Sequence, residues 1–379
     1  MALAAVPATP TILRPPALVA PAPREASFGR IAGKVPPGTR WLIVRAGRQT
    51  LVVRAVHRRS VDFSVDLPLR ETTVRVTAVD GRGRTAVTTV PHVLGLPRAA
   101  RPHGARSHLD AGLQRRLRDA LHGFPGITAA FIQDLTTGAG AAWNARARFP
   151  AASTLKVAIA VEVLRELRGK PEPDSSVGRL LHDMLVESSN EAANSLEVVL
   201  GGSTSAGAAR VTALMRALGL LDSEMFGGYL RGTYGRGPIP RRVDVQPYFG
   251  RGKHTSANDL ARLLSLVHLA AEGKGLLAKR YRSGFTPSDA RFLLYTLAHV
   301  PDRGKLGRFL PPSAVLLHKA GWISDARHDA GLIYWRGGVF VAAVMTYKRP
   351  AGGSSDLLAG RVARIALHVL GGEGRTVRR

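Results

Sequence analysis

The hydrophobic pattern of this chain changes period once, and that change limits the folds it can adopt. Between residues 28 and 93, apolar and polar residues alternate in short runs such as WLIVRAG, VDFSVDL and TTVRVTAV, which are separated by the turns PPGT, HRRS and DGRG. An alternation of period two indicates half-buried β-strands. From about residue 107 helical patterns dominate, beginning with LDAGLQRRLRDALHGF. The pattern predicts a small all-β sandwich followed by a larger domain of another class.

The larger domain, expected at 107–372, has strand patterns near both ends and helical patterns between them. Two strands flank the turn 136–138, and two more flank the turn 336–338. A sheet assembled from such distant pieces has to be antiparallel in part and covered by the helices between them. We therefore expect an α+β architecture for this domain.

Three shorter segments complete the predicted organisation. The composition of residues 1–27, which are rich in Pro and Ala, predicts either a disordered lead or the remnant of an export signal. The module at 28–93 is expected to be immunoglobulin-like. Residues 94–106 are rich in Pro, Gly and Arg, and this composition predicts an exposed linker. Residues 373–379 form a basic tail. No apolar run approaches the roughly 20 residues that cross a bilayer, so we expect no membrane span.

Composition excludes several kinds of site. The 379 residues include 54 Lys+Arg and 27 Asp+Glu, a formal net charge of +27, and no cysteine. The absence of cysteine excludes disulfides, zinc thiolates and a cysteine nucleophile. The positive charge suits an anionic partner such as a cell-envelope polymer. Because the arginines are scattered and only 6% of residues are aromatic, no nucleic-acid partner is expected.

The segment FPAASTLKVAIAVEVLREL places Ser153 and Lys156 one helical turn apart at the start of an apolar helix. A helix N-terminus already carries positive partial charge, and burial also disfavours an ammonium, so both effects lower the pKa of Lys156. Because i and i+3 share a helix face, a neutral Lys156 is a base beside the Ser153 hydroxyl. The backbone N–H of Ser153 can also face a developing oxyanion. The alternative is structural, with Ser153 as an N-cap and Lys156 extended to solvent.

Two later segments carry polar residues at suggestive spacings. In LVESSNEAANSL, Ser188 and Asn190 project from one turn and offer a hydroxyl for proton relay and a carboxamide for a substrate amide. In LHKAGWISD, Lys319 and Gly321 open a strand that can lie against an extended substrate. Taken singly, each segment is equally consistent with an ordinary polar turn or a surface strand.

Together and in this order, STLK, SSN and KAG resemble the active-site signature of class A β-lactamases and penicillin-binding proteins. The flanking FPAAST, NEAANSLEVVLGG and KAGWISDARHDAGLIYW agree with the same family. The resemblance covers about residues 107–372. It implies a β-lactamase/transpeptidase-like fold, in which an antiparallel sheet is flanked by helices and joined by a helical subdomain.

The resemblance also implies a role for each matching residue. Ser153 would be the acylated nucleophile, Lys156 its base or proton relay, and Ser188 the shuttle to the leaving nitrogen. Asn190 would hold the amide side chain of the substrate, and Lys319 would attract its carboxylate. The oxyanion would lie between the backbone N–H groups of Ser153 and of Trp322, the residue after Gly321.

Two departures from the family pattern concern the second half of the reaction. The glutamate expected to activate the deacylating water is not in place, because counting from Gly219 brings Tyr229 near that position. Glu224 is a candidate after loop rearrangement, or else an ordinary surface glutamate. Ala320 replaces the hydroxyl residue expected to bind the substrate carboxylate, and either His328 or the adjacent arginine is a candidate for that contact.

The resemblance implies a β-lactamase-like serine hydrolase in which β-lactams or D-alanyl peptide mimics acylate Ser153 and are hydrolysed. If the deacylating base is missing, the acyl-enzyme should persist and deacylation should be slow. It implies no metal and no organic cofactor. A D,D-peptidase or esterase on the same fold, and a non-catalytic cell-wall or penicillin-binding protein, remain alternatives. Peptidoglycan precursors lie outside the cytosol, so we expect an exported protein of the periplasm, cell envelope or extracellular space.

Overall fold

The computed structural model describes residues 12–230, 232–233, 237–243, 246 and 249–372, and these divide into two compact units, Met1–Leu96 and Pro97–Arg379. The predicted basic tail 373–379 and the first eleven residues of the predicted lead lie outside the described residues. The boundary between the units falls inside the segment predicted as a linker.

The first unit is entirely β in its described part, as predicted. Its strands are β1 Ala17–Ala20, β2 Glu25–Ser27, β3 Arg30–Lys34, β4 Thr39–Ala46, β5 Gln49–Ala55, β6 Ser60–Ser64, β7 Glu71–Asp80 and β8 Thr85–Gly95. They form a three-stranded sheet of order β1-β3-β6 and a five-stranded sheet of order β2-β8-β7-β4-β5. Fully buried Ile31 from the first sheet and Leu42, Val44 and Val74 from the second share one core, so the unit is a sandwich.

The expectation of a disordered lead over 1–27 is wrong for residues 17–27. There β1 pairs with β3 and β2 pairs with β8, each at the edge of its sheet. Proline is tolerated at sheet edges because an edge strand can leave one side of its backbone unpaired. The Pro/Ala composition therefore did not exclude strands at this position.

The second unit combines a mixed sheet with helices, which confirms the α+β prediction. Its helices are α1 Ala111–His122, α2 Lys156–Leu167, α3 Ser176–Leu185, α4 Asn190–Gly201, α5 Thr204–Ala217, α6 Ala257–Ala270, α7 Gly275–Arg280, α8 Pro287–Leu297 and α9 Gly353–Leu370. Its strands are β9 His108–Leu109, β10 Ile127–Asp134, β11 Ala139–Trp143, β12 Phe149–Pro150, β13 His254–Thr255, β14 Val315–Trp322, β15 Ala326–Trp335 and β16 Gly338–Tyr347.

The main sheet of this unit has the order β14-β15-β16-β10-β11-β9 and is antiparallel except between β11 and β9. Helices α1 and α9 pack on one face, where Ile333 and Phe340 join their apolar residues. Helix α6 packs on the other face, where His268 Nδ1 lies 2.8 Å from the hydroxyl of Tyr334. Strand β10 thus pairs with β16, so the sheet joins strands from the N-terminal and C-terminal ends of this unit, as the sequence predicts.

Helices α2 to α5 pack against one another beside this sheet. The short 3₁₀ helix Ala152–Leu155 leads into α2 and contacts the edge strand β14. The S-x-x-K segment is thereby placed where the helical group meets the sheet. No helix in the described part of the chain is long and apolar enough to cross a membrane.

Candidate active site

The segment that carries Ser153 is held by its neighbours rather than by capping. Ser153 lies in the 3₁₀ helix before α2, and its side chain makes no cap hydrogen bond to α2. Ala152 has a φ of +48°, a conformation that costs a non-glycine residue about 1–2 kcal/mol. The N–H of Ala151 donates to the carbonyl of Lys253 at 2.9 Å. The N-cap alternative for Ser153 is therefore wrong, and the segment has a strained and fixed backbone.

Lys156 is fully buried and does not extend to solvent. Its Nζ donates to the carbonyl of Ser188 at 2.6 Å and to Oδ1 of Asn190 at 2.8 Å. Burial, and next the charge of Lys319, lower the pKa of Lys156 to about 7. At neutral pH a large fraction of this amine is thus unprotonated, which is the state a general base requires.

The turn before α4 presents two acceptors to Lys156. Ser188 has a φ of +59°, and its carbonyl is one of the two acceptors. Ser189, at the position where the family pattern has aspartate, caps α4 by accepting from the N–H of Ala192 at 3.0 Å. Asn190 is then the first residue of α4 and supplies the second acceptor. The SSN segment therefore shapes a turn that fixes the Lys156 amine.

Strand β14 passes directly beside the nucleophile. A Cβ added to Gly321 would lie 2.7 Å from the backbone nitrogen of Ser153 and 3.0 Å from that of Thr154. Lys319 is buried on the same strand, and burial lowers its pKa to about 8. Trp322 ends the strand with its side chain 67% exposed. A glycine at 321 is therefore required for the close approach of β14 to Ser153.

Gly321→Ala should reduce acylation of Ser153 at least about tenfold, because the new Cβ would meet backbone atoms that cannot move aside without displacing the nucleophile. The rate is measured as formation of a covalent adduct with a fluorescent penicillin. Gly123→Ala is the matched control, since its added Cβ would meet nothing within 4 Å. Equal rates for both variants would contradict the assigned role of Gly321.

Glu224 is not placed to activate water. Its carboxylate accepts from Nη2 of Arg216 at 2.8 Å, and its backbone bridges that of His254. It is not among the described residues that line the cleft at Ser153. The hypothesis of Glu224 as the deacylating base is thus corrected, because its ion pair holds it on the protein surface.

Tyr229 lies in the cleft, but its hydroxyl does not act as a base there. The N–H of Tyr229 donates to Oδ1 of Asn194 at 2.6 Å, and its hydroxyl lies 3.8 Å from Sδ of Met225. Burial, and next the carboxylate of Glu197, raise the pKa of Tyr229 well above its ordinary value of about 10. A phenol with so high a pKa holds its proton at neutral pH.

Neither residue considered for the substrate carboxylate faces the cleft. Nε2 of His328 lies 2.9 Å from the carbonyl of Pro150, and burial lowers the pKa of this histidine to about 4. Arg327 donates to Asp356 at 2.7 Å. His328 instead anchors the strand that precedes the nucleophile, so the hypothesis of a carboxylate contact from either residue is corrected.

Three further residues of the site were not predicted from the sequence: Asn194, Glu197 and Lys253. The Nζ atoms of Lys253 and Lys156 lie 4.4 and 4.8 Å from the centroid of the Tyr229 ring. Glu197 is fully buried, and neither carboxylate oxygen has a hydrogen-bond partner. Asn194 follows Asn190 by one helical turn, which is a signal the sequence offered. Lys253 lies far from the other site residues in sequence and offered none.

These elements enclose a cleft of about 450 Å³. Its described lining comprises Pro150, Ala151, Ala152, Ser153, Asn190, Tyr229, Arg251, Gly252, Lys253, Trp322 and Ile323. The carbonyl of Ser188 accepts from Lys156, and the charge of Lys319 lowers the pKa of Lys156, so both groups lie near this amine, which is three residues from Ser153 in the chain. In the described residues, no group of three or more His, Cys, Asp or Glu side chains could hold a metal ion.

Comparisons with known proteins agree with this architecture. The chain is similar to a solved structure of PBP-A, at 20% identity and a TM-score of 0.57, over 71% of this chain and 99% of that one. It is similar to a β-lactamase from Streptosporangium roseum, at 20% identity and a TM-score of 0.54, over 69% of this chain and 99% of that one. It is also similar to a β-lactamase from Sphaerobacter thermophilus, at 20% identity and a TM-score of 0.52, over 69% of this chain and 97% of that one. No curated protein matches the sequence.

These structural likenesses confirm the expected fold of the second unit. The sequence itself matches the Beta-lactamase enzyme family over 112–174 and 168–370, which include the S-x-x-K, SSN and KAG segments. Because these ranges cover more than half of the chain, the protein belongs to the Beta-lactamase enzyme family, whose fold supports a serine hydrolase.

Proposed function

We propose that Ser153 forms an acyl-enzyme with β-lactams or D-alanyl peptides and that this intermediate is released slowly. The observation that carries the proposal is Lys156, a fully buried amine with a pKa of about 7 whose Nζ is fixed by Ser188 and Asn190. A purely binding protein needs no such group beside a serine. The non-catalytic alternative therefore has less support.

In the proposed acylation, Oγ of Ser153 attacks the carbonyl carbon of the substrate as Lys156 takes the hydroxyl proton. The C–N bond then breaks, and the proton passes through the hydroxyl of Ser188 to the leaving nitrogen. The N–H groups of Ser153 and Trp322 stabilise the oxyanion. Asn190 binds the amide side chain, and Lys319 attracts the substrate carboxylate. The close approach of Gly321 to Ser153 supports this placement of β14.

We expect slow deacylation because Tyr229, and not a carboxylate, lies in the described part of the cleft near Lys156. The Tyr229 ring is contacted by the side-chain nitrogens of Lys156 and Lys253, and its hydroxyl keeps its proton at neutral pH. No carboxylate is found among the described residues that line the cleft. In the described part of the cleft, water therefore meets no carboxylate base of the kind expected of an efficient β-lactamase, and we expect penicillins to inhibit the protein more than they are consumed.

The lack of a carboxylate in the described lining of the cleft also favours a D,D-peptidase as the second candidate. In that case a peptide or ester donor is the substrate that turns over. One of the similar solved structures is an acyl-enzyme complex of a PBP-A variant with penicillin G. For the present chain we propose export to the cell envelope, where peptidoglycan peptides are found. The net charge of +27 is then compatible with anionic envelope polymers as further partners.

The test is the intact mass of the full chain over time after addition of a fluorescent penicillin. We expect one adduct per chain that persists for minutes, and none in Ser153→Ala. Ser205→Ala, which removes an exposed hydroxyl from α5, is the matched control and should acylate normally. An adduct that decays within seconds would favour an efficient β-lactamase. No adduct with the wild-type chain, or an adduct with Ser153→Ala, would refute the proposal.

A further inference from the structure

The five-stranded sheet of the first unit has one face in the sandwich core and one face outside it. Side chains alternate between the two faces along a strand. On β4, Leu42 and Val44 belong to the core, so Trp41, Ile43 and Arg45 lie on the opposite, outer face. The strand register places further residues on this outer face: Thr50, Val53 and Ala55 of β5, Arg75, Thr77 and Val79 of β7, and Thr85, Val87 and Thr89 of β8.

The middle of the outer face is apolar and open to solvent. Val53, Ile43, Thr77 and Val87 lie side by side across β5, β4, β7 and β8. Trp41 lies in the next row, two residues before Ile43 on β4. The side chains of Trp41, Val53 and Val87 are 49%, 56% and 44% exposed. Contiguous exposed apolar side chains of this kind mark an interaction surface.

The row on the other side of Ile43 is basic. Arg45 on β4 lies directly opposite Arg75 on β7, and both are exposed. Like charges in directly opposite positions destabilise a sheet. Nε of Arg45 donates to the hydroxyl of Thr50 at 3.2 Å, and in the described part of the chain neither guanidinium forms an ion pair. An anionic group bound between the two arginines would relieve their repulsion.

The mixture of side chains on the outer face suits a sugar polymer better than a lipid surface. Thr77 lies beside Val87, and Thr89 lies beside Arg75. Hydrocarbon would remove water from these hydroxyls without replacing its hydrogen bonds. A sugar ring instead offers a C–H face that can stack on the indole of Trp41 and hydroxyls that bond to threonine. From Trp41 to the Arg45 row is about 13 Å along β4, a distance that a short stretch of such a polymer spans.

We propose that the outer face of the first unit binds a polysaccharide whose sugars carry carboxylate groups. One sugar ring stacks on Trp41, and a carboxylate lies between Arg45 and Arg75, where each guanidinium can donate to it. Basic residues outnumber acidic ones more than twofold in 1–96, which attracts a polyanion at long range. The first unit thereby attaches the chain to an acidic glycan, a function that is independent of the acyl-enzyme chemistry of the second unit.

The test measures the Kd of the full chain for polygalacturonate by titration calorimetry, with polyglutamate of equal length as the polyanion without sugars. We expect polygalacturonate to bind about tenfold more tightly than polyglutamate. Arg45→Gln/Arg75→Gln should weaken the binding of polygalacturonate about tenfold, because it removes two charge-assisted contacts. Arg58→Gln/Arg59→Gln is the matched control, since it removes two exposed arginines of the same unit from the segment between β5 and β6. It should change the Kd at most about twofold.

Trp41→Val should abolish the preference for polygalacturonate over polyglutamate, whereas Trp41→Phe, which keeps an aromatic ring, should retain most of it. The ratio of the two Kd values is not changed by a general loss of folded protein. Equal losses in the two double arginine variants would overturn the inference, because net charge alone would then explain binding. A wild-type chain without the preference, or a preference that survives in Trp41→Val, would also overturn it. Tighter binding to phosphatidylglycerol vesicles than to polygalacturonate would overturn it in favour of a lipid surface.

Discussion

Lys156→Met will slow acylation of Ser153 by about 10³-fold, within the range that a positioned general base contributes. Methionine has a similar length and suits a buried position, so the change removes the amine with little loss of packing. The two acceptors that now bind Nζ, on Ser188 and Asn190, lose their donor. The measurement is the second-order rate constant of adduct formation with a fluorescent penicillin.

The pH profile of the wild-type chain provides an independent check on the same residue. Only the unprotonated amine accepts the Ser153 proton, so acylation should rise with pH and reach half of its plateau near pH 7, the pKa of Lys156. Lys279→Met, which alters an exposed lysine in α7, is the control and should retain the wild-type rate. A loss below tenfold in Lys156→Met would contradict the assignment of this lysine as the base.

The acylation half of the site could be predicted from sequence because its signals are local. The apolar run around Lys156 indicated burial, and the spacing of Ser153 and Lys156 indicated a shared helix face. Ser188 and Asn190 were predicted to project from one turn, and the structure places the Ser188 carbonyl and Asn190 Oδ1 together as acceptors for the Lys156 amine, whereas the predicted roles of the Ser188 hydroxyl and of the Asn190 amide toward a substrate stay predictions. The structure adds the positive φ of Ser188, which orients its carbonyl and which no residue pattern specified.

The rest of the cleft depends on contacts between residues distant in sequence. Lys253 reaches the nucleophile segment through the pairing of β12 with β13, which are about a hundred residues apart. Counting along the chain suggested Tyr229 and Glu224, but only spatial contacts separate them. Tyr229 is held in the cleft by Asn194, and Glu224 is paired with Arg216. Hydrophobic periodicity carries no information about such pairings.

The structure at the N-terminus differs from what its composition predicts for a related reason. Proline and alanine in 1–27 suggested disorder, whereas residues 17–20 and 25–27 pair with strands β3 and β8. The β propensity of a short edge strand is low, and its partner strand supplies most of its stability. A strand of this kind is recognisable only once the sheet it joins is known.

Glu197 is expected to destabilise the folded protein as the pH rises. Its carboxylate is fully buried with no hydrogen-bond partner, and burial raises its pKa from 4.5 to about 8. The folded chain thus holds this proton over a pH range in which the unfolded chain has lost it. The contribution of Glu197 to stability therefore falls between about pH 4.5 and pH 8, by roughly 1.4 kcal/mol per pKa unit.

Glu197→Gln should remove this dependence, because the amide is neutral at every pH in the range. We expect the variant to gain about 4 kcal/mol in the free energy of unfolding at pH 8 relative to the wild-type chain, and little at pH 4.5. The measurement is urea unfolding at both pH values, followed by tryptophan fluorescence. Three of the four tryptophans, Trp143, Trp322 and Trp335, lie in the second unit and report on it.

Glu224→Gln is the matched control, because it makes the same chemical change in a partly exposed ion pair with Arg216. Such pairs contribute at most about 1 kcal/mol, so its effect should be small at both pH values. If Glu197→Gln and the wild-type chain lost stability in parallel between pH 4.5 and pH 8, Glu197 would not be the titrating group. A gain confined to Glu197→Gln would show that ionisation of this buried carboxyl group is what destabilises the folded chain as the pH rises, because the partly exposed Glu224 undergoes the same chemical change without that effect.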